Sequence, residues 1–181
     1  MERNTYHHGS LRAALLEQAH ALLDEVGPEA VTLRETARRA GVSATATYRH
    51  FRDKEGLLAA VATEGFDQFA ERLAASVQGG RPFDEMTRAY VLFALERPGL
   101  FRLMFSPLFM SRAAHPDMAT AAAKTFAVLN AAASVANSQA GRSPVSAWAE
   151  AHGLAHLLLD GMVPLQSREE ILNGMFGPPK T

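Results

Sequence analysis

The sequence predicts an all-α protein, and two features of the residue pattern support that fold class. No run of Val, Ile, Thr and aromatic residues alternates with polar residues for six positions, so the signature of a half-buried strand is missing. Apolar residues instead recur three and four positions apart along almost the whole chain, as they do in amphipathic helices. We therefore expect two helical domains joined by a connecting helix.

The composition indicates an ordinary folded protein. The 181 residues are 48% hydrophobic and 20% charged, with a formal net charge of -1, whereas a disordered chain has fewer apolar residues and a larger charge. No stretch of about 18 apolar residues predicts a membrane span, and Cys 0 excludes a disulfide scaffold or thiolate metal site. The polar start is unlike a signal peptide, so we expect a cytoplasmic protein. The excess of Arg over Lys favours a GC-rich bacterial source.

The first predicted helix begins after Ser10 as its N-cap and ends at Gly27-Pro28. Glycine suits a helix C-terminus because it adopts a left-handed conformation easily, and proline cannot continue the helix. The apolar residues are spaced to form one face, which we expect in the core. They are Leu11, Leu15, Ala19, Leu22 and Val26.

Three shorter elements are predicted next. Thr32 and Glu35 form a T-x-x-E capping box that starts a helix of about two turns, and Gly41 ends it. Ser43 then caps a third helix over residues 44–51. A longer fourth helix has Asp53 as its N-cap, reaches about residue 78, and is stopped by the Gly-Gly-Arg-Pro sequence at 79–82.

Beyond this break, charged residues become fewer, and Phe, Met and Ala become more frequent. Prolines and glycines divide the remainder into five predicted helices: 83–97, 99–105, 116–139, 143–161 and 167–176. We assign residues 1–55 to an N-terminal domain that continues into the connecting helix, 53–78. Residues 79–181 form the second domain.

Residues 32–51 fit a helix-turn-helix, in which the second helix enters the major groove of DNA. Five arginines between positions 34 and 52 oppose one acid, Glu35, which gives a local charge of about +4 typical of phosphate binding. Small side chains at Ala44 and Thr45 allow the backbone to approach a groove closely, while the spacing of Phe51 directs it into the core. The alternative is a plain helical hairpin whose arginines are solvated.

Several segments in this region resemble the DNA-binding domain of the TetR family of transcriptional regulators. They are Tyr6-His7-His8-Gly9-Ser10-Leu11-Arg12, Val31-Thr32-Leu33-Arg34-Glu35, Ala40-Gly41-Val42-Ser43, Tyr48-Arg49-His50-Phe51 and Asp53-Lys54-Glu55-Gly56-Leu57-Leu58. The resemblance covers residues 6 to about 70 in order. It implies a regulator, mostly a repressor in this family, that binds a palindromic DNA operator as a homodimer.

The resemblance also implies the residues that face DNA. It places Ser43, Thr45, Tyr48 and His50 against DNA, with Tyr48 and His50 on phosphates, and it places Thr32 and Lys54 on phosphates at the starts of their helices. From their position and chemistry, Arg34 and Arg49 join this set, and Arg49 and Thr45 are the residues we expect to read bases. Thr47 departs from the pattern, because this branch of the family more often has Pro or an apolar residue there.

In the second domain, Trp148-x-x-x-His152-Gly153, together with residues 90–101, resembles the C-terminal domain of TetR-like regulators with a W-x-x-x-H-G (WHG) signature. Trp148, His152, Ala155, Leu159 and Met162 share one predicted helix face, and Gly153 would permit a close helix crossing. A large ring and an imidazole near Met and Phe side chains suit a pocket for an apolar or aromatic small-molecule effector. Ordinary core packing is the alternative.

The proposed pocket wall is drawn from aromatic and methionine side chains and one histidine. These are Tyr90, Phe93, Phe101, Met104, Phe105, Met110, Phe126, Trp148 and His152.

Two other functions are weighed against the regulator. His152 and His156 have a metal-compatible spacing of four, which allows a metal-dependent enzyme, but no Glu follows His152 and no third ligand cluster is evident. A helical small-molecule-binding protein without DNA function leaves residues 43–54 unexplained. We therefore expect no enzyme, no metal and no cofactor.

The Ala-rich helix over 116–139 needs a partner surface. Small residues allow helices to approach closely, so this helix and the Trp148 helix from each of two subunits would form a four-helix interface. Packing within one chain is the alternative. The small residues are Ala119, Ala122, Ala123, Ala127, Ala131 and Ala136.

Overall fold

The computed structural model describes residues 8–77, 82–107, 113–140 and 143–178, except for the side chains of 8–10, 82, 133–140, 144, 147 and 165. Met110 lies outside the described residues. The predicted all-α class is confirmed. The helices are α1 His8–Val26, α2 Leu33–Arg39, α3 Ala44–Thr47, α4 Lys54–Ser76, α5 Pro82–Glu96, α6 Pro98–Met104, α7 Pro116–Ala140, α8 Pro144–Leu159 and α9 Arg168–Phe176, with a 3-10 turn at Leu165–Ser167.

Helix α1 has its core face where the periodicity placed it, although its first residue and the exposure of its last turn differ from expectation. Leu15, Ala19 and Leu22 are buried, but Val26, in the last turn, is 57% exposed because no other described element covers the end of the helix there. The helix begins at residue 8, so Ser10 lies inside it and is not its N-cap. Gly27 has φ +82°, which confirms the predicted glycine terminus.

The expected caps of α2, α3 and α4 form, with one exception. Thr32 Oγ1 accepts from the Glu35 N–H at 3.1 Å and Asp53 Oδ1 accepts from the Gly56 N–H at 2.8 Å. The prediction of a complete capping box is wrong. The Glu35 carboxylate accepts from Arg38 and does not accept the reciprocal hydrogen bond from the Thr32 N–H. Gly41 has φ +69° and forms the turn between α2 and α3.

Helix α4 is the central element, since it packs against helices of both domains. Its buried face includes Phe66 and Phe69, and the Phe69 ring stacks on Phe93 of α5 at 4.6 Å between centroids. At the junction of the domains, Gly99 lies so close to α1 that an added Cβ would be 2.6 Å from the Leu23 carbonyl oxygen. This glycine therefore allows α6 to touch the backbone of α1.

One expectation for α8 is wrong, and a second is not met within the single chain. The helix ends at Leu159, and Gly161, with φ +68°, turns the chain away, so Met162 is 74% exposed and lies off the predicted stripe. Gly153 is exposed and has no neighbour within 4 Å of an added Cβ, so it makes no close crossing with another described element. Arg88 of α5 holds the C-terminal part of α9, because it donates to Asn173 Oδ1 at 2.7 Å and to the carbonyl of Gly177, the residue after the helix.

Across the described residues, no helix combines the length and the apolar character that crossing a membrane requires.

Candidate functional site

The element expected to enter the DNA groove is shorter than predicted. Helix α3 ends at Thr47, and the chain then tightens, with the Arg49 N–H bonded to the Ala46 carbonyl at 3.3 Å and the His50 N–H to the Thr47 carbonyl at 3.0 Å. These i to i+3 bonds let Phe51 turn inward, where it is buried as expected. Thr47 is also fully buried, and its hydroxyl has no hydrogen-bond partner among the described residues.

The side chains expected to face DNA are on the outer surface of this element. Ser43, Thr45 and Arg49 are exposed, and Tyr48 is 59% exposed, whereas His50 is half-buried. An exposed tyrosine on a short helix gains little from packing within the chain. The geometry therefore leaves its ring and hydroxyl accessible to a partner.

Three further predicted residues flank this element. Thr32 Oγ1 accepts a backbone N–H as the α2 cap, which leaves its own O–H available to donate to a phosphate. Lys54 donates one of its three N–H groups to the Glu29 carbonyl at 2.8 Å, which holds the ammonium at the start of α4. Arg34 is exposed on the first turn of α2.

The arginines of the described residues divide into two groups by their partners. Those with a carboxylate within 4 Å are Arg38, Arg39, Arg72, Arg88, Arg97, Arg102 and Arg168. Those with no such partner in the described part of the chain are Arg12, Arg34, Arg49 and Arg52. All four of the second group lie in the N-terminal domain, so among the described arginines the charge that no carboxylate neutralises is concentrated around the helix-turn-helix.

The local charge of +4 counted along the sequence therefore overstates what DNA would meet. Arg38 and Arg39 are both within hydrogen-bond distance of Glu35, and Arg39 also lies 2.7 Å from Glu25 of α1. Hydrogen bonding by Arg38, with a smaller contribution from Arg39, lowers the pKa of Glu35 to about 2 against its partial desolvation. This carboxylate is ionised at neutral pH, and its hydrogen bonds keep the Arg38 and Arg39 side chains against the protein surface.

Arg12 and Arg52, which are outside the predicted set of DNA-facing residues although Arg52 was counted in the local charge, line an open cleft beside His50. The cleft has a volume of about 290 Å³ and lies between the α1 start, the turn after α3, the first half of α4 and residues 114–118. The Arg12 guanidinium also covers the Phe51 ring at 5.5 Å from its centroid. Counting charges along α1 as well as along the helix-turn-helix would have been the signal for Arg12.

Polar contacts connect the two domains at two places. His115, before α7, lies 3.0 Å from Glu55 in the first turn of α4. On the opposite side, Arg97 lies 3.2 Å from Asp24 and 3.3 Å from His20 Nδ1. His115 therefore ties the segment before α7 to the start of α4, and Arg97 ties the start of α6 to α1.

The described members of the expected effector pocket form one cluster in the second domain. Tyr90, Phe93, Phe101 and Met104 are buried, whereas Phe105, Phe126, Trp148 and His152 are half-buried. The Phe105 ring lies 4.8 Å from the His152 ring, and Phe126 meets Trp148 edge-on at 5.1 Å. Trp148 and His152 lie on one face of α8, as the spacing predicts.

Three side chains of the cluster are joined by hydrogen bonds. Trp148 Nε1 donates to Tyr90 Oη at 3.1 Å, and Tyr90 Oη lies 2.9 Å from His152 Nδ1. Burial raises the pKa of Tyr90, so the phenol stays protonated. Burial, and then the neighbouring His156, lower the pKa of His152, which favours the neutral imidazole.

The two histidines considered as metal ligands lie close together, with His152 and His156 ring centroids 4.6 Å apart. Among the residues that the structure describes, no group of three or more His, Cys, Asp or Glu side chains is placed to hold a metal ion. His152 Nδ1 is engaged by Tyr90, so the polar atoms of this cluster serve a hydrogen-bonded chain.

A helix-turn-helix with an exposed aromatic residue and unpaired arginines, connected to a separate helical domain, defines a DNA-binding regulatory protein. Residues 15–61 match the family model for bacterial regulatory proteins of the tetR family, and residues 83–175 match the model for the tetracyclin repressor-like C-terminal domain. The second match alone spans about half of the chain. The chain belongs to the TetR family of transcriptional regulators.

Solved structures of similar fold agree with this assignment. A protein of unknown function from Rhodococcus sp. RHA1 is 31% identical, with a TM-score of 0.79 over 96% of this chain and 95% of that one. TetR family regulators from Marinobacter aquaeolei VT8 and Thermobifida fusca YX-ER1 share the fold, both with a TM-score of 0.67. The Marinobacter protein is 23% identical, and the match covers 93% of this chain and 92% of that one. The Thermobifida protein is 20% identical, and the match covers 94% of this chain and 98% of that one. A comparison with curated proteins found no match.

Proposed function

We propose that this protein is a ligand-responsive repressor that binds a palindromic operator as a homodimer in the bacterial cytoplasm. The observation that carries the proposal is that, within the described part of the chain, the four arginines without a carboxylate partner all lie in the domain that exposes Tyr48. Residues 1–55 would bind DNA, residues 53–78 would connect the domains, and residues 79–181 would bind the effector and form the dimer. The WHG-type assignment of the second domain, from Trp148, His152 and Gly153, belongs to this proposal.

On DNA, the side chains divide by role. Thr32, Tyr48, His50 and Lys54 hold phosphates and set the register, and Arg34 adds charge to the same backbone contact. Ser43, Thr45 and Arg49 lie on the face that would reach base edges in the major groove. The hydroxyls of Thr32 and Ser43 already accept hydrogen bonds as the N-caps of α2 and α3, so these side chains lose less conformational entropy when they bind DNA.

The dimer is supported by exposed small and apolar side chains on two neighbouring helices. Helix α8 exposes a stripe spaced by four residues: Val145, Ala149, Gly153 and Leu157. Helix α7 exposes Ala123, Ala127 and Ala131, whereas Ala122 packs inside its own chain and the side chain of Ala136 lies outside the described part. An exposed glycine next to exposed alanines is suited to close contact with a second copy of these helices.

Regulation follows from the connections of α4. The effector would bind among Tyr90, Phe101, Phe105, Trp148 and His152, together with the other members of the cluster and Met110. An effector changes operator affinity only by its different affinities for the DNA-competent and released arrangements. Because α4 packs on both domains, movement at the effector site changes the position of the helix-turn-helix.

Enrichment of a random pool of DNA duplexes by the purified protein tests this function. The wild type is expected to enrich one palindrome, and Tyr48→Ala is expected to lose that enrichment without a change in thermal stability, because the side chain is exposed. Lys124→Ala removes an exposed positive charge of the second domain and serves as the matched control, with the wild-type enrichment expected.

Two results would overturn the proposal. One is the absence of any enriched sequence with folded protein at low salt. The other is equal enrichment by Tyr48→Ala and the wild type, which would exclude this residue from the interface.

A further inference from the structure

The hydrogen-bonded chain Trp148–Tyr90–His152 fixes the direction of every donor in it. An indole N–H only donates, so Trp148 Nε1 gives its hydrogen to Tyr90 Oη at 3.1 Å. Tyr90 is fully buried, and an unsatisfied buried hydroxyl is costly, so its own O–H also needs an acceptor. His152 Nδ1, at 2.9 Å, is that acceptor.

The position of the His152 proton follows from this order. A ring nitrogen that accepts from Tyr90 carries a lone pair, so the proton of the neutral imidazole is on Nε2. No described side chain accepts a hydrogen bond from His152 Nε2. The chain of donors therefore ends in an N–H group on a half-buried ring.

The described surroundings of His152 are aromatic rings and His156, and they contain no unpaired Arg or Lys. Its ring centroid lies 4.8 Å from Phe105, 5.6 Å from Phe101 and 5.9 Å from Trp148. Arg102 of the adjacent helix α6 is occupied by Asp160 at 2.5 Å. A carboxylate buried here would have no Arg or Lys counter-charge among the described residues, whereas an uncharged oxygen would gain a hydrogen bond at little desolvation cost.

We propose that the effector is an apolar, ring-bearing molecule with an uncharged acceptor oxygen, such as a ketone or ester carbonyl, and that His152 Nε2–H donates to that oxygen. Trp148 and Tyr90 are positioning residues that hold the imidazole in the donor form. This inference rests on the effector pocket of the proposed function and adds the chemical class of the ligand.

The protonation pattern can be read directly in the unmodified protein. Nitrogen-15 NMR of histidine-labelled protein at pH 7.5 reports the state of each ring nitrogen, and His152→Gln assigns the signal. We expect neutral His152 with the proton on Nε2, and a mixture of both neutral forms in Tyr90→Phe. A charged His152, or a proton on Nδ1 in the wild type, would overturn the proposal.

The ligand class is tested with three probes of matched shape: 2-acetylnaphthalene, 2-ethylnaphthalene and 2-naphthoate, measured by equilibrium dialysis. The net contribution of one hydrogen bond to the binding free energy predicts that the ketone binds about threefold to tenfold more tightly than the hydrocarbon. His152→Phe should abolish this preference, so that the ketone and the hydrocarbon bind with equal affinity. His156→Phe, one turn further along α8, is the matched control and should keep the preference.

Three results would refute the assignment: equal binding of the ketone and the hydrocarbon, tightest binding of the carboxylate, or no saturable binding of any probe. Duplex enrichment with the same preparations separates this inference from the proposed function. Enrichment of a palindrome without ketone preference overturns the ligand class alone. Ketone preference without enrichment overturns the repressor function alone.

Discussion

Arg39 Nη1 lies 2.7 Å from Glu25 Oε2, so an arginine within the helix-turn-helix is bound to the end of α1. The neighbouring Arg34 has no carboxylate partner among the described residues. These two arginines therefore have different roles, although they are five positions apart in a short helix.

Arg39→Ala is expected to change the stability of the protein, whereas Arg34→Ala is expected to change its affinity for the operator. Loss of the Arg39 pairs should lower the free energy of unfolding slightly, because the pairs are partly exposed, with little change in operator affinity. Loss of Arg34 should weaken operator binding several-fold without a change in stability. Fluorescence anisotropy and thermal unfolding measure the two quantities, and equal affinity losses in both variants would contradict the division of the arginines.

Arg12 and Arg52 are expected to contribute to the salt dependence of operator binding. Each phosphate contact adds about 0.9 to the slope of log K against log salt, so Arg12→Gln with Arg52→Gln should reduce the slope by about 2. Lys124→Gln should leave it unchanged, because that residue is outside the DNA-binding domain. A slope equal to that of the wild type would show that the cleft beside His50 does not face the DNA backbone.

Leu157→Arg tests the proposed dimer. Leu157 is 46% exposed in the single chain, so a charge there should not disturb the fold but would be buried between two copies of α8. Light scattering is expected to give the mass of one chain, 19.6 kDa, instead of two. Met175→Arg, at an exposed apolar position of α9, is the control and should remain dimeric; a dimeric Leu157→Arg protein would place the interface elsewhere.

Gly99→Ala should loosen the junction between the domains. Its Cβ would meet the Leu23 carbonyl oxygen at 2.6 Å, and because that atom is backbone, the helices must shift, at a cost of about 1–3 kcal/mol. Gly174→Ala on α9 meets nothing within 4 Å and should be neutral or stabilising by up to about 1 kcal/mol. Chemical denaturation compares them, and an equally stable Gly99→Ala would mean that α1 and α6 separate without cost.

His152 should make stability depend on pH. Because burial lowers its pKa in the folded protein, the unfolded chain binds more protons as the pH falls below about 6.5, and the folded state loses stability there. At higher pH His152 is neutral in both the folded and the unfolded state, so this loss of stability is absent. We expect a smaller drop in melting temperature between pH 7.5 and 5.5 for His152→Gln than for the wild type. An identical drop would assign the pH dependence to other groups.

Much of the fold follows from local sequence. Gly27 and Gly41 end their helices with positive φ, and the side chains of Ser43 and Asp53 cap the helices that follow them, because these effects depend only on neighbouring residues. Val26 and Met162 are different. Their spacing extends an apolar stripe, but each lies at or beyond a helix end, where periodicity no longer reports which face is covered.

The site was predictable in residue type but not in pairing. Tyr90, Trp148 and His152 were expected in one cluster, yet their hydrogen-bond order depends on how α5 and α8 pack. The pairing of Arg39 with Glu25 likewise joins two helices and is absent from any count along the chain. DNA contact by the individual residues stays a prediction for the variants above.

Helix α4 is unbroken for 23 residues, and this continuity gives it the mechanics of a lever. At about 1.5 Å per residue its length is about 34 Å, so a tilt of about 5° at one end displaces the other by about 3 Å. Neighbouring nucleotides of one DNA strand are about 3.4 Å apart along the helix axis. A pivot too small to disturb the packing of the second domain would therefore carry Lys54 by nearly one nucleotide step, enough to take each half of a dimer out of register with its half-site.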